Sequence, residues 1–167
     1  MPDEHIPGSV SVQPLTAADP PALREIAALT ILAWGREPTA EEIEKRSSRL
    51  KGEVLSLDPD AAAVFVARRA GVVVGFGRVM REKADASQWL LFALAVHPDH
   101  RRQGIGTALA RALMEYARQR GARCIRSETH VDNAVSIRYH ESMGFRCEGV
   151  VTAPDGDRLV RFQLPLG

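Results

Sequence analysis

One stretch of this sequence constrains the fold more than any other: a long apolar run that leads through a glycine-bearing loop into an amphipathic helix. The run from Trp89 to Val96 is continuously apolar and ends at His97-Pro98, as is typical of a central strand covered on both faces. The loop DHRRQGIGT follows, and apolar residues then recur at helical spacing to about Arg120. Gly121 is expected to end this helix in a left-handed conformation. The segment therefore predicts a strand–loop–helix unit of an α/β domain.

The runs on either side of this unit extend the α/β pattern. Upstream, the sequence predicts a strand over Ser9 to Pro14, helices opening at Pro20 and at the capping pair Thr39 and Glu42, and the two strands AAAVFVARRA and VVVGFGRVM. Downstream, it predicts a strand over Arg123 to Thr129, a helix over Asn133 to Met143, and strands over Phe145 to Thr152 and Leu159 to Leu164. We expect a mixed sheet of about six to seven strands flanked by about four helices, in a single domain over residues 1–167.

Composition excludes several classes of function. The net charge is only +1, so nothing global indicates nucleic acid or a membrane surface as a partner. The two cysteines, Cys124 and Cys147, have no metal-like spacing, which favours a reduced protein without a metal site. The sequence shows no signal peptide and no apolar run near the roughly 18 residues that span a bilayer. A cytoplasmic protein is expected.

The loop from Arg101 to Ala108 is the segment that most clearly indicates a binding function. A helix begins after it, and the first turn of a helix presents backbone N–H groups with partial positive charge. Gly104 and Gly106 remove side chains there, so a phosphate oxygen can approach these groups closely. Leu109 stands where a dinucleotide fingerprint needs a small residue, and no Gly-Lys-Ser/Thr triplet occurs. The basic segment therefore suits either a solvated helix face or an anionic ligand such as a pyrophosphate.

The run LFALAVHPDHRRQGIGTALARALMEYARQRGARCI, followed by NAVSIRYHESMGF, resembles the Gcn5-related N-acetyltransferase (GNAT) family. The phosphate-loop signature of that family, Gln/Arg-x-x-Gly-x-Gly/Ala, is met by Arg101, Gly104 and Gly106. The downstream pattern of the family is met by Asn133, Tyr139 and Gly144-Phe145. The resemblance spans roughly residues 62–150, and the first sixty residues match only in their predicted strand and two helices.

The resemblance implies a splayed sheet that holds acetyl-coenzyme A between the strand ending at Val96 and the strand starting near Arg123. It implies transfer of an acetyl group to a primary amine of a small molecule or peptide, by direct attack in a ternary complex, and it allows for a homodimer. The implied cofactor-binding residues are Leu94, Ala95, Val96, Arg101, Arg102, Gln103, Gly104, Ile105, Gly106, Thr107, Ala108 and Asn133.

The reaction needs an acid for the departing thiolate and a base for the amine. Spacing alone fits Tyr139 as a core residue, whereas the family pattern makes it the acid. Asn133 can cap the following helix, contact the cofactor, or do both. Glu128 is the candidate base, and the alternatives are Glu82, His97, His130 and a water relay.

The acceptor side is the least determined part of the prediction. By family analogy it is built from Trp34 to Glu37 and from Ala153 to Arg158, where Glu37, Asp155 and Asp157 would suit a cationic amine. The run SETHVDNAVSIRYHESMGF also resembles the corresponding segment of aminoglycoside 6′-N-acetyltransferases. Two further possibilities are a catalytically silent domain that binds coenzyme A as a sensor and a binder of nucleotide phosphates.

Overall fold

A seven-stranded mixed sheet with four α-helices forms the described part of the protein. The computed structural model describes residues 9–16 and 19–167. The strands are β1 (Val10–Pro14), β2 (Ala62–Arg69), β3 (Val72–Arg81), β4 (Gln88–Val96), β5 (Cys124–His130), β6 (Arg146–Thr152) and β7 (Arg158–Pro165). The helices are α1 (Pro20–Leu32), α2 (Ala40–Leu55), α3 (Ile105–Gln119) and α4 (Ala134–Ser142). The predicted α/β class is confirmed. The bounds of the helices and strands differ from the predicted ones by one or two residues.

The strand order is β1-β2-β3-β4-β5-β7-β6, and β4 and β5 form the one parallel pair in that order. Successive side chains of a strand point to opposite faces, so the sheet buries two separate sets of apolar residues. On one face, α1 contributes Leu23, Ile26 and Leu29. On the other face, α3 contributes Leu109 and Leu113. None of the residues of α2 is buried, so this helix lies on the surface.

The central strands β4 and β5 separate partway along their length. They pair only where Gln88–Leu90 lies beside Cys124–Arg126, although β4 continues to Val96 and β5 to His130. The sequence predicts that β4 is covered on both faces, and this is wrong. Beyond Leu91 its residues are only half-buried or exposed, because the gap between the strands opens one face to a cleft.

A β-bulge lies just beyond the point where β4 leaves β5. Phe76 pairs with Ala95 and Arg78 with Phe92, so two residues of β4 oppose Gly77 alone. One of these two, Ala93, has a φ of 55°. Such a bulge bends its strand and increases the local twist, which helps to turn the end of β4 away from β5.

No described helix is both long enough and apolar enough to cross a membrane.

Candidate active site

The separation of β4 and β5 creates a cavity of about 470 Å³. Its walls come from both strands, from α4 and from the segment after α1. They comprise Trp34, Leu90, Leu91, Phe92, Ala93, Leu94, Ser127, Glu128, Thr129, His130, Asn133, Ser136, Tyr139, His140, Phe145 and Leu159. A cleft of this size with a few polar groups among apolar walls is typical of small-molecule sites.

The start of α3 is an open helix terminus. Gly104 is its N-cap, with a φ of 80° and no side-chain capping bond. The first backbone bond within the helix runs from Ala108 N to Gly104 O, at 3.0 Å. The N–H groups of residues 105–107 therefore lack acceptors within the helix, and the helix dipole adds positive character there. The predicted cradle is thus a helix start whose donors are available to an anion.

At Gly106, the start of α3 has room for a side-chain atom. A Cβ at this position would lie 3.7 Å from Val96 Cγ2 and 3.8 Å from the Tyr139 hydroxyl, which are ordinary van der Waals distances. The missing side chain therefore opens space between the end of β4, the start of α3 and α4. Space at this point is what a thioester arm running from the helix terminus into the cavity requires.

The polar residues of the loop before α3 do different things. Arg101 donates from Nε to Val96 O at 3.3 Å and from Nη2 to Ala33 O at 3.2 Å, so it ties the loop to β4 and to the end of α1. Gln103 accepts from Arg69 Nη1 at 2.6 Å. Arg102 has a φ of 61° and is exposed.

Tyr139 lies beside this open terminus. It lines the cavity, and its buried hydroxyl makes no hydrogen bond of good geometry with any described residue. Burial raises the pKa of Tyr139, against smaller opposing effects of the Thr107 hydroxyl and the Arg111 charge. A phenol in this state keeps its proton at neutral pH and can donate it.

Asn133 performs the capping role that the sequence left open. Its Oδ1 accepts from Ser136 N at 3.0 Å at the start of α4. Asn133 also lines the cavity.

The candidate bases separate into two groups. Glu128 and His130 of β5 line the cavity, whereas Glu82 and His97 are not among its lining residues. Glu128 Oε1 accepts from both Nε and Nη2 of Arg161, at 2.9 and 2.7 Å.

The other three candidates also have charged neighbours. Glu82 lies 3.8 Å from Arg126, His130 lies 3.7 Å from Asp157, and His97 Nδ1 accepts from Asp99 N at 3.1 Å.

The predicted acceptor segments contribute unequally. Trp34 lines the cavity and is 78% exposed, so it stands at the mouth. Asp157 lies beside His130, which lines the cavity. Glu37 and Asp155 are not among the lining residues, and Asp155 instead accepts from Asp157 N at 2.9 Å within the β6–β7 turn.

Sequence reasoning gave no role to the pair of His140 and Ser127, both of which line the cavity. His140 Nε2 lies 2.7 Å from Ser127 Oγ, and His140 Nδ1 lies 2.7 Å from Ser136 O. The four-residue spacing of Ser136 and His140 on a predicted helix was the available signal, but the sequence could not show that Ser127 faces the ring.

Among the described residues, no three His, Cys, Asp or Glu side chains lie close enough to hold a metal ion.

The described part of the chain is thus an α/β domain in which two central strands separate beside an open helix start. Residues 23–145 match the profile of the Acetyltransferase (GNAT) family, and the chain belongs to this family. The resemblance stated from the sequence is thereby confirmed. Acetyl-CoA is the cosubstrate of the family.

Curated relatives match parts of the chain. The mycothiol acetyltransferase of Thermobispora bispora is 33% identical over 90 residues, which are 52% of this chain and 30% of that protein. The ribosomal protein bS18-alanine N-acetyltransferase of Escherichia coli K12 is 42% identical over 55 residues, 33% of this chain and 37% of that protein. These matches span about a third of the length of each relative.

Solved structures share the fold over nearly the whole chain. The PaiA N-acetyltransferase of Thermoplasma acidophilum, in complex with coenzyme A, has a TM-score of 0.70 and 19% identity, covering 92% of this chain and 98% of that one. An aminoglycoside 6′-acetyltransferase type Ii has a TM-score of 0.74 and 20% identity, covering 93% and 96%. At these identities the likeness concerns the fold.

Proposed function

We propose that this protein transfers the acetyl group of acetyl-CoA to a primary amine, by direct attack in a ternary complex. The observation that carries the proposal is the junction of two features: the open first turn of α3 and the cavity where β4 leaves β5. The helix terminus suits a pyrophosphate, and the adjoining gap suits a narrow thioester arm that ends in the cavity. Acetyl-CoA supplies the activated acetyl thioester.

The cofactor contacts follow from this placement. Backbone N–H groups from Arg102 to Thr107 would hold the pyrophosphate, with Gly104 and Gly106 admitting its oxygens. Backbone groups of Leu94, Ala95 and Val96, on the separated part of β4, would hold the arm and the acetyl carbonyl. Asn133, already the cap of α4, lies across the cavity from β4 and would contact the arm.

Two groups would act on the reacting atoms. A backbone N–H such as that of Val96 would stabilise the charge that gathers on the carbonyl oxygen. Tyr139 would protonate the departing sulfur, and its buried, unpartnered hydroxyl beside Gly106 supports this role.

Glu128 as the base stays a prediction. It lines the cavity, and its Oε1 accepts two hydrogen bonds from Arg161.

The acceptor side favours a cationic or strongly polar amine. Trp34 at the mouth offers an aromatic face to an ammonium group, and Asp157 lies beside the cavity-lining His130. The charge of Glu128 is balanced by Arg161. The aminoglycoside hypothesis remains a narrower form of this proposal. It is favoured by the similarity of the local segment around Asn133 and by the fold shared with an aminoglycoside 6′-acetyltransferase.

The test is the release of free thiol from acetyl-CoA across a panel of amines, with the acetylated product identified by its mass. The panel contains polyamines, amino acids, peptides with free N-termini and aminoglycosides. Turnover with at least one amine supports the proposal. Tight coenzyme A binding without turnover on any amine would indicate a silent binding module instead, and protection from heating by ATP or NAD rather than by coenzyme A would indicate a nucleotide-phosphate binder.

A further inference from the structure

The hydrogen bonds of His140 define which of its nitrogens carries the proton. Nδ1 lies 2.7 Å from the backbone oxygen of Ser136, and a carbonyl oxygen can only accept, so Nδ1 carries the hydrogen. In the neutral ring Nε2 is then bare. Ser127 Oγ lies 2.7 Å from Nε2, so the serine hydroxyl donates to the ring. The cavity wall therefore contains a serine whose proton already points at an imidazole base.

The surroundings keep this imidazole neutral and fixed. The ring stacks on Phe162, with centroids 4.6 Å apart and planes 9° apart, and Phe145 packs against it edge-on. Only 7% of His140 and 5% of Ser127 are exposed. Burial lowers the pKa of His140, so the ring is uncharged at neutral pH.

The pair differs from Glu128 in how it would handle a proton. The carboxylate of Glu128 is engaged in an ion pair, with both donors of Arg161 on Oε1. Ser127 can pass its own proton to Nε2 as it accepts another, so no net charge builds up on its hydroxyl.

We propose that the Ser127–His140 pair receives the proton of the acceptor amine, an inference that rests on the proposed acetyl transfer. As the amine nitrogen bonds to the acetyl carbon and the carbon–sulfur bond breaks, a nitrogen-bound proton moves to Ser127 Oγ and the serine proton moves to His140 Nε2. The Ser136 carbonyl holds the Nδ1–H of the resulting imidazolium. The sulfur takes its proton from Tyr139, and exchange with solvent after product release restores both groups. Ser127 is thus the catalytic residue, and His140 acts through it.

The titratable and charged groups around the His140 ring affect its pKa, and through it the pH dependence of the rate. Tyr139 is the titratable group whose ring lies next to it, at 6.0 Å between centroids. From β5, Glu128 and His130 line the same cavity, and Glu128 is paired with Arg161 of β7. On α4 itself, the charged residues that flank His140 in sequence are Arg138 and Glu141.

The kinetic test uses Ser127→Ala, which removes the link and leaves the imidazole in place. We expect kcat to fall by about 10²-fold or more, the usual contribution of a positioned base, while the KM for acetyl-CoA stays within about twofold. The acidic limb of the wild-type pH profile should lie below the ordinary histidine pKa of about 6.5 and should disappear in His140→Gln. Ser142→Ala, a serine-to-alanine change outside the cavity on α4, is the control and should behave as wild type. A Ser127→Ala enzyme with normal kcat, or a limb that disappears in Glu128→Gln instead, overturns the proposal.

A second measurement does not depend on turnover. Nitrogen NMR of the histidine rings should show His140 protonated on Nδ1 and bare on Nε2 at neutral pH, with a shift of Nε2 in folded Ser127→Ala. A ring protonated on Nε2 overturns the relay even if amines are acetylated. Failure of every amine in the panel contradicts the proposed function, and the ring state still decides whether the pair is set up to accept a proton.

Discussion

Gly104 and Gly106 are glycines for different physical reasons. Gly104 has a φ of 80°, which costs other L-residues roughly 1–2 kcal/mol, so its backbone conformation alone explains it. Gly106 has no such conformation and has room for a Cβ. The fold alone therefore does not require a glycine at this position, which agrees with the proposal that a ligand lies at the helix terminus.

We predict that Gly106→Val weakens coenzyme A binding by at least about tenfold, because branched methyl groups would cover the N–H groups that face the ligand. A Cβ at Gly106 would contact Val96 and Tyr139 at ordinary van der Waals distances, and a melting curve checks that the variant stays folded. Calorimetric titration with coenzyme A measures the affinity, and Gly52→Val on α2, where a Cβ meets nothing, is the control for the change in residue type. Equal affinity in Gly106→Val and wild type would count against the cradle.

Tyr139→Phe should lower kcat by about 10-fold to 10³-fold and leave the affinity for coenzyme A nearly unchanged, because only the proton donor is lost. The pKa of Tyr139 is raised by burial, so this phenol should cause no fall in rate below about pH 10. Steady-state kinetics and a coenzyme A titration separate the two parameters. Tyr116→Phe, at the second tyrosine and outside the cavity, is the control. Parallel losses of kcat and affinity in Tyr139→Phe would point to packing.

His140 should also make stability depend on pH. Its folded pKa lies below the ordinary value of about 6.5, so as pH falls through 6.5 the unfolded chain takes up a proton that the folded chain refuses. The stabilisation is complete above pH 6.5 and is lost as pH falls towards the folded pKa. Thermal melts between pH 5 and 8 should show a steeper fall for wild type than for His140→Gln. The same slope in both proteins would exclude this residue as the cause.

At the scale of elements, the sequence predicted most of the features that depend on neighbouring residues. The capping box of α2 forms as expected: Thr39 Oγ1 accepts from Glu42 N at 3.2 Å, and Glu42 Oε2 accepts from Thr39 N at 2.9 Å. Gly121 is left-handed at the end of α3, with a φ of 89°. These features depend on neighbours in sequence, so the pattern contains them.

The cleft could not be predicted from neighbouring residues in the sequence in the same way. The apolar run of β4 is compatible with burial on both faces, and its exposure follows from where β5 stops pairing with it, a contact some thirty residues away in sequence. Likewise, the bonds of Glu128 with Arg161 and of Ser127 with His140 join different elements. The helix terminus was predictable from the loop, whereas the partners of the catalytic candidates were not.

The bulge of β4 depends on close packing at Gly77. A Cβ there would lie 2.7 Å from Leu113 Cδ1 and 2.8 Å from Leu94 Cδ1. We expect Gly77→Ala to destabilise the protein by about 1–3 kcal/mol, because the packed side chains of Leu113 and Leu94 must both move. Chemical denaturation measures this change. Gly52→Ala, in the interior of α2 with nothing near its Cβ, should instead be neutral or slightly stabilising. An unaffected Gly77→Ala protein would show that the packing is looser than described.

At the scale of the whole molecule, the proposed function places the cofactor and the acceptor in one cleft. The helix terminus with Gly104 and Gly106 adjoins the gap between the strands, and Trp34 stands at the mouth of the cavity. The segment from Arg101 to Arg126 is strongly basic, which suits the anionic cofactor of this proposal.

The most direct test of the account is an NMR titration of nitrogen-15-labelled protein with coenzyme A. We predict that the largest changes in backbone amide shift fall on residues 104–108, with further changes along the open end of β4 from Leu94 to Val96. Saturable binding that leaves the amides at the start of α3 unmoved, or no binding at millimolar coenzyme A, would contradict the claim that this helix terminus holds the cofactor.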